Sequence, residues 1–177
     1  MCGICGAVNA RPRTVDESHL QAMVAIQRHR GPEEVRVVSD STVLLGQARL
    51  AIIDLAGGAQ PMASHDGRYR IVFNGEIFNY PDLRAELQAT GHRFRTESDT
   101  EVILESYRAW GTECFGRFNG QWALALWDRE ADRLILSREG HSVLLNGVEH
   151  DMFVPSGAQT GIKLNVNAEI EPDITYT

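Results

Sequence analysis

Cys2 stands one residue from the start of the chain, in the run Met1-Cys2-Gly3-Ile4-Cys5-Gly6. Removal of Met1, which a small second residue permits, would put a thiol and a free α-amine on the same carbon. An α-amine titrates near ~7.7–8.0, far below the ~10.4 of a lysine. A useful fraction is then neutral at physiological pH and can take the thiol proton directly or through one water. The thiolate is the nucleophile, and no histidine is needed. Gly3 and Gly6 let the backbone turn and approach closely around it. The plain alternative is a cysteine of no special role, the commoner reading of an isolated motif. Cys2 and Cys5 also form a Cys-x-x-Cys, which is half a zinc site or a redox pair. No second such pair occurs, and the 6 His show no partner motif. Cys5 reads as a small apolar residue of a first strand, and the lone Cys114 as core.

Three further blocks carry chemistry. In Phe73-Asn74-Gly75-Glu76-Ile77-Phe78-Asn79-Tyr80, Asn-Gly after a strand is ordinarily a turn. Such a turn can also aim the Asn74 side-chain N–H and the Gly75 backbone N–H at one point, as an oxyanion hole does. Glu76 reads equally as a solvated turn residue. Arg49, at the head of Arg49-Leu50-Ala51-Ile52-Ile53-Asp54, can hold a carboxylate by two bonds, or make a structural ion pair with Asp54 or another acid. In Ser98-Asp99-Thr100-Glu101, Asp99 fits a helix N-cap and can also present a carboxylate to an ammonium.

The elements that must position these groups follow from periodicity. Thr14 and Glu17 fit a capping box, and Leu20, Met23, Val24 and Gln27 then give a helix from Val15 to His29, ended by Gly31-Pro32. Val35 to Gln47 reads as two strands around Asp40-Ser41, Arg49 to Leu55 as a strand closed by Gly57-Gly58, and Tyr69 to Phe73 as another. Pro81 to Thr90 is a helix with Leu83 and Leu87 on one face and Gly91 past its end. Asp99 opens the next, with Val102, Ile103, Tyr107 and Trp110 on its packing side. Gln121 to Asp128 has the composition of a strand covered on both faces, and Arg133 to Arg138 is its hairpin partner across Glu130-Ala131-Asp132. Val143 to Leu145 and Ile162 to Val166 read as strands, with Asn146-Gly147 as a hairpin turn. The result is an α+β protein with stacked sheets.

Length and charge narrow the function. At 177 residues the chain is about one domain, large enough for a core without staples and too short for multi-step chemistry unaided. The 17 Lys+Arg against 24 Asp+Glu give −7, and Lys163 is the only lysine. A phosphate-binding basic face is thus not expected, nor is a nucleic-acid partner. No apolar run reaches the ~18 residues of a membrane helix, and no secretory leader opens the chain. An odd number of cysteines argues for reduced thiols and a cytoplasmic setting.

Six blocks, in order, together resemble a known family: Met1-Cys2-Gly3-Ile4, Arg28-His29-Arg30-Gly31-Pro32, Arg49-Leu50-Ala51-Ile52-Ile53-Asp54-Leu55, Gln60-Pro61-Met62, Phe73 to Tyr80 and Ser98-Asp99-Thr100-Glu101. The sequence is similar to the N-terminal glutaminase domain of asparagine synthetase, a class II glutamine amidotransferase and N-terminal nucleophile hydrolase. The resemblance runs from Met1 to about Arg138. It implies a four-layer αββα sandwich of two antiparallel sheets between helices. It implies that Cys2 attacks the side-chain amide of L-glutamine, with its own amine shuttling the proton. Asn74 and Gly75 would form the oxyanion hole, Arg49 would bind the α-carboxylate, and Asp99 and Glu76 would hold the α-ammonium. The products would be a γ-glutamyl thioester and ammonia, then glutamate, with no cofactor and no metal.

The chain departs from the family after the strand at Leu134 to Ser137. A family Lys-Pro-Leu-Tyr-Tyr-like strand is replaced by Ser137-Arg138-Glu139-Gly140-His141, and Gly140 to Leu145 looks like a Pro-Gly-His strand found later in the family domain. Either an internal stretch is lost or the tail is unrelated. The expected division is therefore 1–138 as the glutaminase core and 139–177 as atypical C-terminal strands completing the same domain. The Ser-Gly-Gly-x-Asp-Ser loop of the synthetase domain does not occur. The leading expectation is a glutaminase that supplies ammonia to a separate ATP-using synthetase chain. The alternatives are an amidohydrolase acting on another amide, which Arg49 and Asp99 argue against, and a non-catalytic binding or regulatory module. In the last, a sheet edge exposed by lost strands invites a homodimer or another partner.

Overall fold

Alternation along the strands decides the layering of this chain. A computed structural model describes residues 2–8, 15–40, 42–51, 53–55, 57–138, 141–146, 152–155, 165–166 and 175–176, with side chains described as far as Arg138. In chain order the elements are β1 (Gly3–Val8), α1 (Glu17–Ile26), β2 (Glu34–Ser39), β3 (Val43–Arg49), β4 (Met62–Ala63), β5 (Tyr69–Ile77), α2 (Tyr80–Ala89) and α3 (Asp99–Trp110). A 3-10 turn (Gly111–Arg117) follows, then β6 (Gly120–Asp128), β7 (Arg133–Arg138), β8 (His141–Asn146), β9 (Met152–Pro155), β10 (Asn165–Val166) and β11 (Thr175–Tyr176). They form two antiparallel sheets, ordered β10-β9-β1-β3-β2 and β11-β8-β7-β6-β5-β4.

Successive side chains on a strand point to opposite faces, and both faces of the central strands are apolar. Ile4 and Val8 of β1, Val43 and Leu45 of β3, Val72 of β5, Ala123, Ala125 and Trp127 of β6, and Leu134 and Leu136 of β7 meet in the gap between the sheets. On the outer face of the first sheet, Cys5, Leu44 and Ala48 pack on Leu20 and Val24 of α1. On the outer face of the second, Ile71, Phe73, Trp122, Leu124, Leu126 and Ile135 pack on Leu83 and Leu87 of α2 and on Val102, Ile103 and Tyr107 of α3. Each fully buried aliphatic or aromatic side chain contributes about 1.5–3 kcal/mol. The order helix, sheet, sheet, helices is the αββα sandwich that the resemblance implies.

Several local expectations need correction. The first helix is shorter at both ends than Val15 to His29. Its N-cap is Asp16, whose carboxylate accepts the His19 N–H at 3.0 Å; Thr14 lies outside the described residues. The run after Arg49 is not a strand. β1 reaches back only to Gly3, opposite Ala48, so beyond Arg49 there is no first-strand partner. The Leu50 N–H turns instead to the Cys2 sulfur, the Ala51 N–H to the Glu33 carboxylate, and Asp54 takes φ 46°. Conversely β5 does not stop at Phe73. Its pairing with β6 continues through Asn74, Gly75 and Glu76 to Ile77 opposite Gly120, so Asn74-Gly75 lies within a strand and not in a turn. Ser98, not Asp99, caps α3, accepting the Thr100 N–H.

Beyond Arg138 the expected strand at 143–145 falls within β8, which pairs with β7 from Arg138↔His141 to Arg133↔Asn146. Of the expected strand at 162–166, Asn165–Val166 pairs with β9; the rest of that run, and Gly147 of the expected turn, lie outside the described residues. Among the described residues no helix is long and apolar enough to cross a membrane.

Candidate active site

At one end of the gap between the sheets the alternation continues but the residue type changes. On β1 the position before Ile4 on the gap face is Cys2. On β3, Val43 and Leu45 are followed on that face by Gln47 and Arg49. On β5, Val72 is followed by Asn74 and Glu76, and on β6 Gln121 precedes Ala123. A cavity of about 220 Å3 opens there. It is lined by Cys2, Arg49, Asn74, Gly75, Glu76 and Asp99, and also by Leu50, Gly58, Gln60 and Gln121. All six residues singled out in the sequence therefore share one cavity.

Cys2 is half-buried and tied at both ends. Its sulfur accepts the Leu50 N–H at 3.3 Å, and its thiol faces the Leu50 carbonyl at 3.5 Å. Its own carbonyl accepts Arg30 Nε at 3.0 Å. Gly31 makes that bond reachable: a Cβ there would stand 2.2 Å from the Ala48 carbonyl oxygen, so only a glycine lets the 28–32 segment lie on the end of β3. Cys5 is different in kind. It points to the other face of β1, among Leu20, Val24 and Leu44, and burial pushes its thiol up to about 12. Burial also raises the Cys114 thiol. With Cys2 and Cys5 on opposite faces of one strand, their sulfurs can neither chelate one metal nor bridge, and the zinc and redox readings of the motif fall.

The two groups expected to form an oxyanion hole, at Asn74 and Gly75, both lie on β5. β4 covers one edge of this strand only at Ile71 and Arg70. Past it, the Phe73 N–H is taken by Gln60 Oε1 at 2.6 Å and the Ile77 N–H by Asp99 Oδ2 at 3.2 Å. Alternation of backbone direction puts the Gly75 N–H on the same edge, between those two, toward the cavity that Gly75 lines. A side chain at Gly75 is excluded, because its Cβ would meet the Gln121 carbonyl oxygen at 2.1 Å. Asn74 is buried, and its carboxamide oxygen has no hydrogen-bond partner among the described residues. A buried acceptor without a partner costs about 1–3 kcal/mol, a cost that an N–H donated by a bound ligand would remove.

Arg49 is buried and braced. It donates to the carbonyls of Leu55 at 3.0 Å and Asp54 at 2.7 Å, with Glu34 at 3.8 Å. Of the ion pairs the sequence allowed, with Asp54 or another acid, the structure makes the one to Glu34, while Asp54 is met through its main chain. The Asp54 carboxylate instead grips the Gly57 N–H and the Glu97 N–H. Gly58 leaves space for the guanidinium, since a Cβ there would lie 2.8 Å from Arg49 Nη2.

The acidic end of the cavity is built by four consecutive residues with four tasks. Ser98 caps α3, Asp99 faces the cavity, Thr100 accepts Gln60 Nε2 at 3.1 Å, and buried Glu101 accepts the N–H groups of Arg95 and Thr96. Burial lifts the Asp99 carboxyl above the usual carboxylate range, and the negative charge of Glu76 adds to this. The N–H groups of Ile77 and Thr100 pull the other way. A cation between Asp99 and Glu76 would offset both causes. An ammonium at this end, a carboxylate on Arg49 and an amide carbon near Cys2 together describe an α-amino acid with a side-chain amide.

Arg30, Gly31, Gly58, Gln60 and Glu101 carried no expected part in the site, although Gly31 and Gly58 were expected to end a helix and a strand. Four of these stand in blocks that carried the resemblance. The signal was thus present, but their work is done on main-chain atoms, which residue types do not announce.

The glutamine amidotransferase domain model matches residues 1–165. Asparagine synthetase [glutamine-hydrolyzing] 3 of Bacillus subtilis is 42% identical over 142 residues, covering 78% of this chain and 23% of its own length. The putative asparagine synthetase of Mycobacterium bovis is 36% identical over 174 residues, covering 89% and 26%. The chain spans about a quarter of these relatives. Among solved structures, glutamine phosphoribosylpyrophosphate amidotransferase from B. subtilis, complexed with ADP and GMP, shares the fold with a TM-score of 0.60 at 16% identity, over 96% of this chain and 50% of that one.

Proposed function

The chain is a class II glutamine amidotransferase domain, and from that premise we propose that it hydrolyses L-glutamine through a Cys2 γ-glutamyl thioester. The observation that carries this reading is the convergence of Cys2, Arg49, Asn74, Gly75, Glu76 and Asp99 on one cavity. With Met1 removed, the Cys2 α-amine takes the thiol proton and the thiolate attacks the glutamine side-chain carbonyl carbon. The carbon–oxygen double bond opens to an oxyanion held by the Asn74 amide and the Gly75 N–H. As it re-forms, the carbon–nitrogen bond breaks and the α-ammonium of Cys2 protonates the leaving nitrogen, releasing ammonia. Water then attacks the thioester, its proton passing through the same amine back to sulfur, and glutamate leaves. Arg49 binds the substrate α-carboxylate, while Asp99 and Glu76 hold its α-ammonium.

The ammonia passes to an ATP-using, amide-forming synthetase partner. Support for this comes from relatives named as glutamine-hydrolysing asparagine synthetases. Residues 139–177 complete the same domain, a reading supported by β8 on β7 and β9 on β1.

The test is glutamate release from glutamine by the purified protein and by Cys2→Ala, alongside the intact mass. The expected result is loss of turnover in the variant and a wild-type mass lacking Met1. Equal rates in the two proteins would refute the proposal.

A further inference from the structure

We propose that Gln60 is a positioning residue that fixes the spacing between the oxyanion edge of β5 and the ammonium end of the site. The proposal deepens the glutaminase reading and rests on it. Gln60 is buried, lines the cavity and is bonded at both ends of its amide. Its oxygen accepts the Phe73 N–H at 2.6 Å, one residue before Asn74, and its nitrogen donates to Thr100 Oγ1 at 3.1 Å, one residue after Asp99. One carboxamide thus spans from the strand bearing Asn74 and Gly75 to the helix bearing Asp99.

The need for such a brace follows from the sheet. β4 pairs with β5 only at Met62↔Ile71 and Ala63↔Arg70. Continued by antiparallel register, Gln60 would sit opposite Phe73, but the pairing ends at Met62↔Ile71, so no β4 carbonyl takes the Phe73 N–H. The Gln60 side chain replaces the missing backbone acceptor. On the carbonyl side, Phe73 is held by Gln47 Nε2 at 3.1 Å, reaching across from β3 of the other sheet. Phe73 is therefore clamped through both its polar main-chain groups by side-chain amides, and the next donor along that edge is Gly75. A carboxamide is the suitable group, because it accepts at one end and donates at the other. A glutamate keeps only the accepting end and brings a negative charge toward Asp99. An asparagine is one methylene too short to reach both partners.

The experiment compares Gln60→Ala, Gln60→Glu, Thr100→Val and Thr100→Ser, with active sites counted by covalent labelling of Cys2. For each, kcat and KM of glutamate release are measured per labelled site. A displacement of about 1 Å in a reacting constellation costs on the order of 10²-fold. Gln60→Ala is expected to lose about that in kcat/KM, chiefly in kcat, because oxyanion contacts strengthen only in the transition state. Thr100→Val and Gln60→Glu are expected to lose less, Thr100→Ser to stay near wild type, and Gln60→Ala/Thr100→Val to be no worse than Gln60→Ala alone. Loss confined to the number of labelled sites, with kcat per site within about threefold of wild type, would overturn the proposal. So would full multiplication of the two single effects. Where Gln60→Ala fails to fold, the contrast between Thr100→Val and Thr100→Ser decides alone, equal rates counting against. Wild-type protein no faster than Cys2→Ala would sink the glutaminase reading instead, and so separates the two failures.

Discussion

Replacing Asp99 by Asn should make the protein more stable and unable to hold its substrate. The carboxyl is buried, raised above the usual range by that burial and by Glu76, and hydrogen-bonded by the Ile77 N–H. Asparagine keeps the shape and an oxygen for the Ile77 N–H, removes the charge, and puts an NH2 donor in place of the second oxygen. The sign follows from linkage. Below the unfolded value of about 3.9 the group is protonated in both states and adds nothing. As pH rises from there through the elevated folded value, the unfolded chain ionises first, and the folded state loses about 1.4 kcal/mol for each unit of elevation. Asp99→Asn escapes that loss. Its melting temperature should match wild type in acid and rise above it toward neutrality, by about 3–6 °C per unit of elevation for a chain of this size. Binding should move oppositely. Truncating one partner of a buried charge pair costs about 2–5 kcal/mol, or about 30- to 5,000-fold in affinity. The assay is thermal unfolding across pH, with and without glutamine, in a Cys2→Ala background that prevents turnover. A variant that is less stable by a margin independent of pH, or that is stabilised by glutamine as much as its parent, would refute the reasoning.

Thiol labelling at neutral pH should modify Cys2 first and spare Cys5 and Cys114, whose buried thiols are raised; peptide mapping that finds Cys5 labelled as fast as Cys2 contradicts the two-faced strand. Gly58→Ala should raise KM about tenfold and lower the melting temperature as well, because a Cβ there would meet the end of the Arg49 side chain at 2.8 Å and also the main-chain oxygens of Asp54 and Ile53 at 2.9 and 3.0 Å. An unchanged KM would mean that Arg49 can shift without consequence for the substrate.

The layering was legible because it rests on alternation. Trp122, Leu124 and Leu126 face the helices while Ala123, Ala125 and Trp127 face the other sheet, as an unbroken apolar run suggests for a strand covered on both sides. The grouping of the six candidate residues in one cavity was legible through block resemblance, and Cys2 was singled out also by its own chemistry. Two errors had one cause. Leu50 to Leu55 has the composition of a strand, and Asn74-Gly75 that of a turn. Composition reports what a segment prefers, whereas strand formation needs a partner at the right register. β1 starts too late to pair beyond Arg49, and β6 is long enough to carry β5 through Asn74-Gly75 to Ile77.

The same register explains why the site sits at this end of the sandwich. Cys2, Gln47, Arg49, Asn74 and Gln121 occupy gap-facing positions that are apolar elsewhere along the same strands. Stability alone would favour continuing the apolar series. Instead four strands turn polar at one level, and the Gln47 and Asn74 carboxamide oxygens are buried without partners among the described residues. Each such group costs about 1–3 kcal/mol, a sizeable part of the net stability of a domain, about 5–15 kcal/mol. A one-residue slip of β5 against β6 would send Asn74 to the helix face and Phe73 into the gap. The apolar alternation that forbids this slip at Val72, Phe73, Leu124 and Ala125 is therefore also what puts Asn74 on the face of the cavity that Cys2 lines. Core packing and site geometry are set by one register, and a core variant that loosens the pairing of β5 with β6 should lower turnover before it lowers folding.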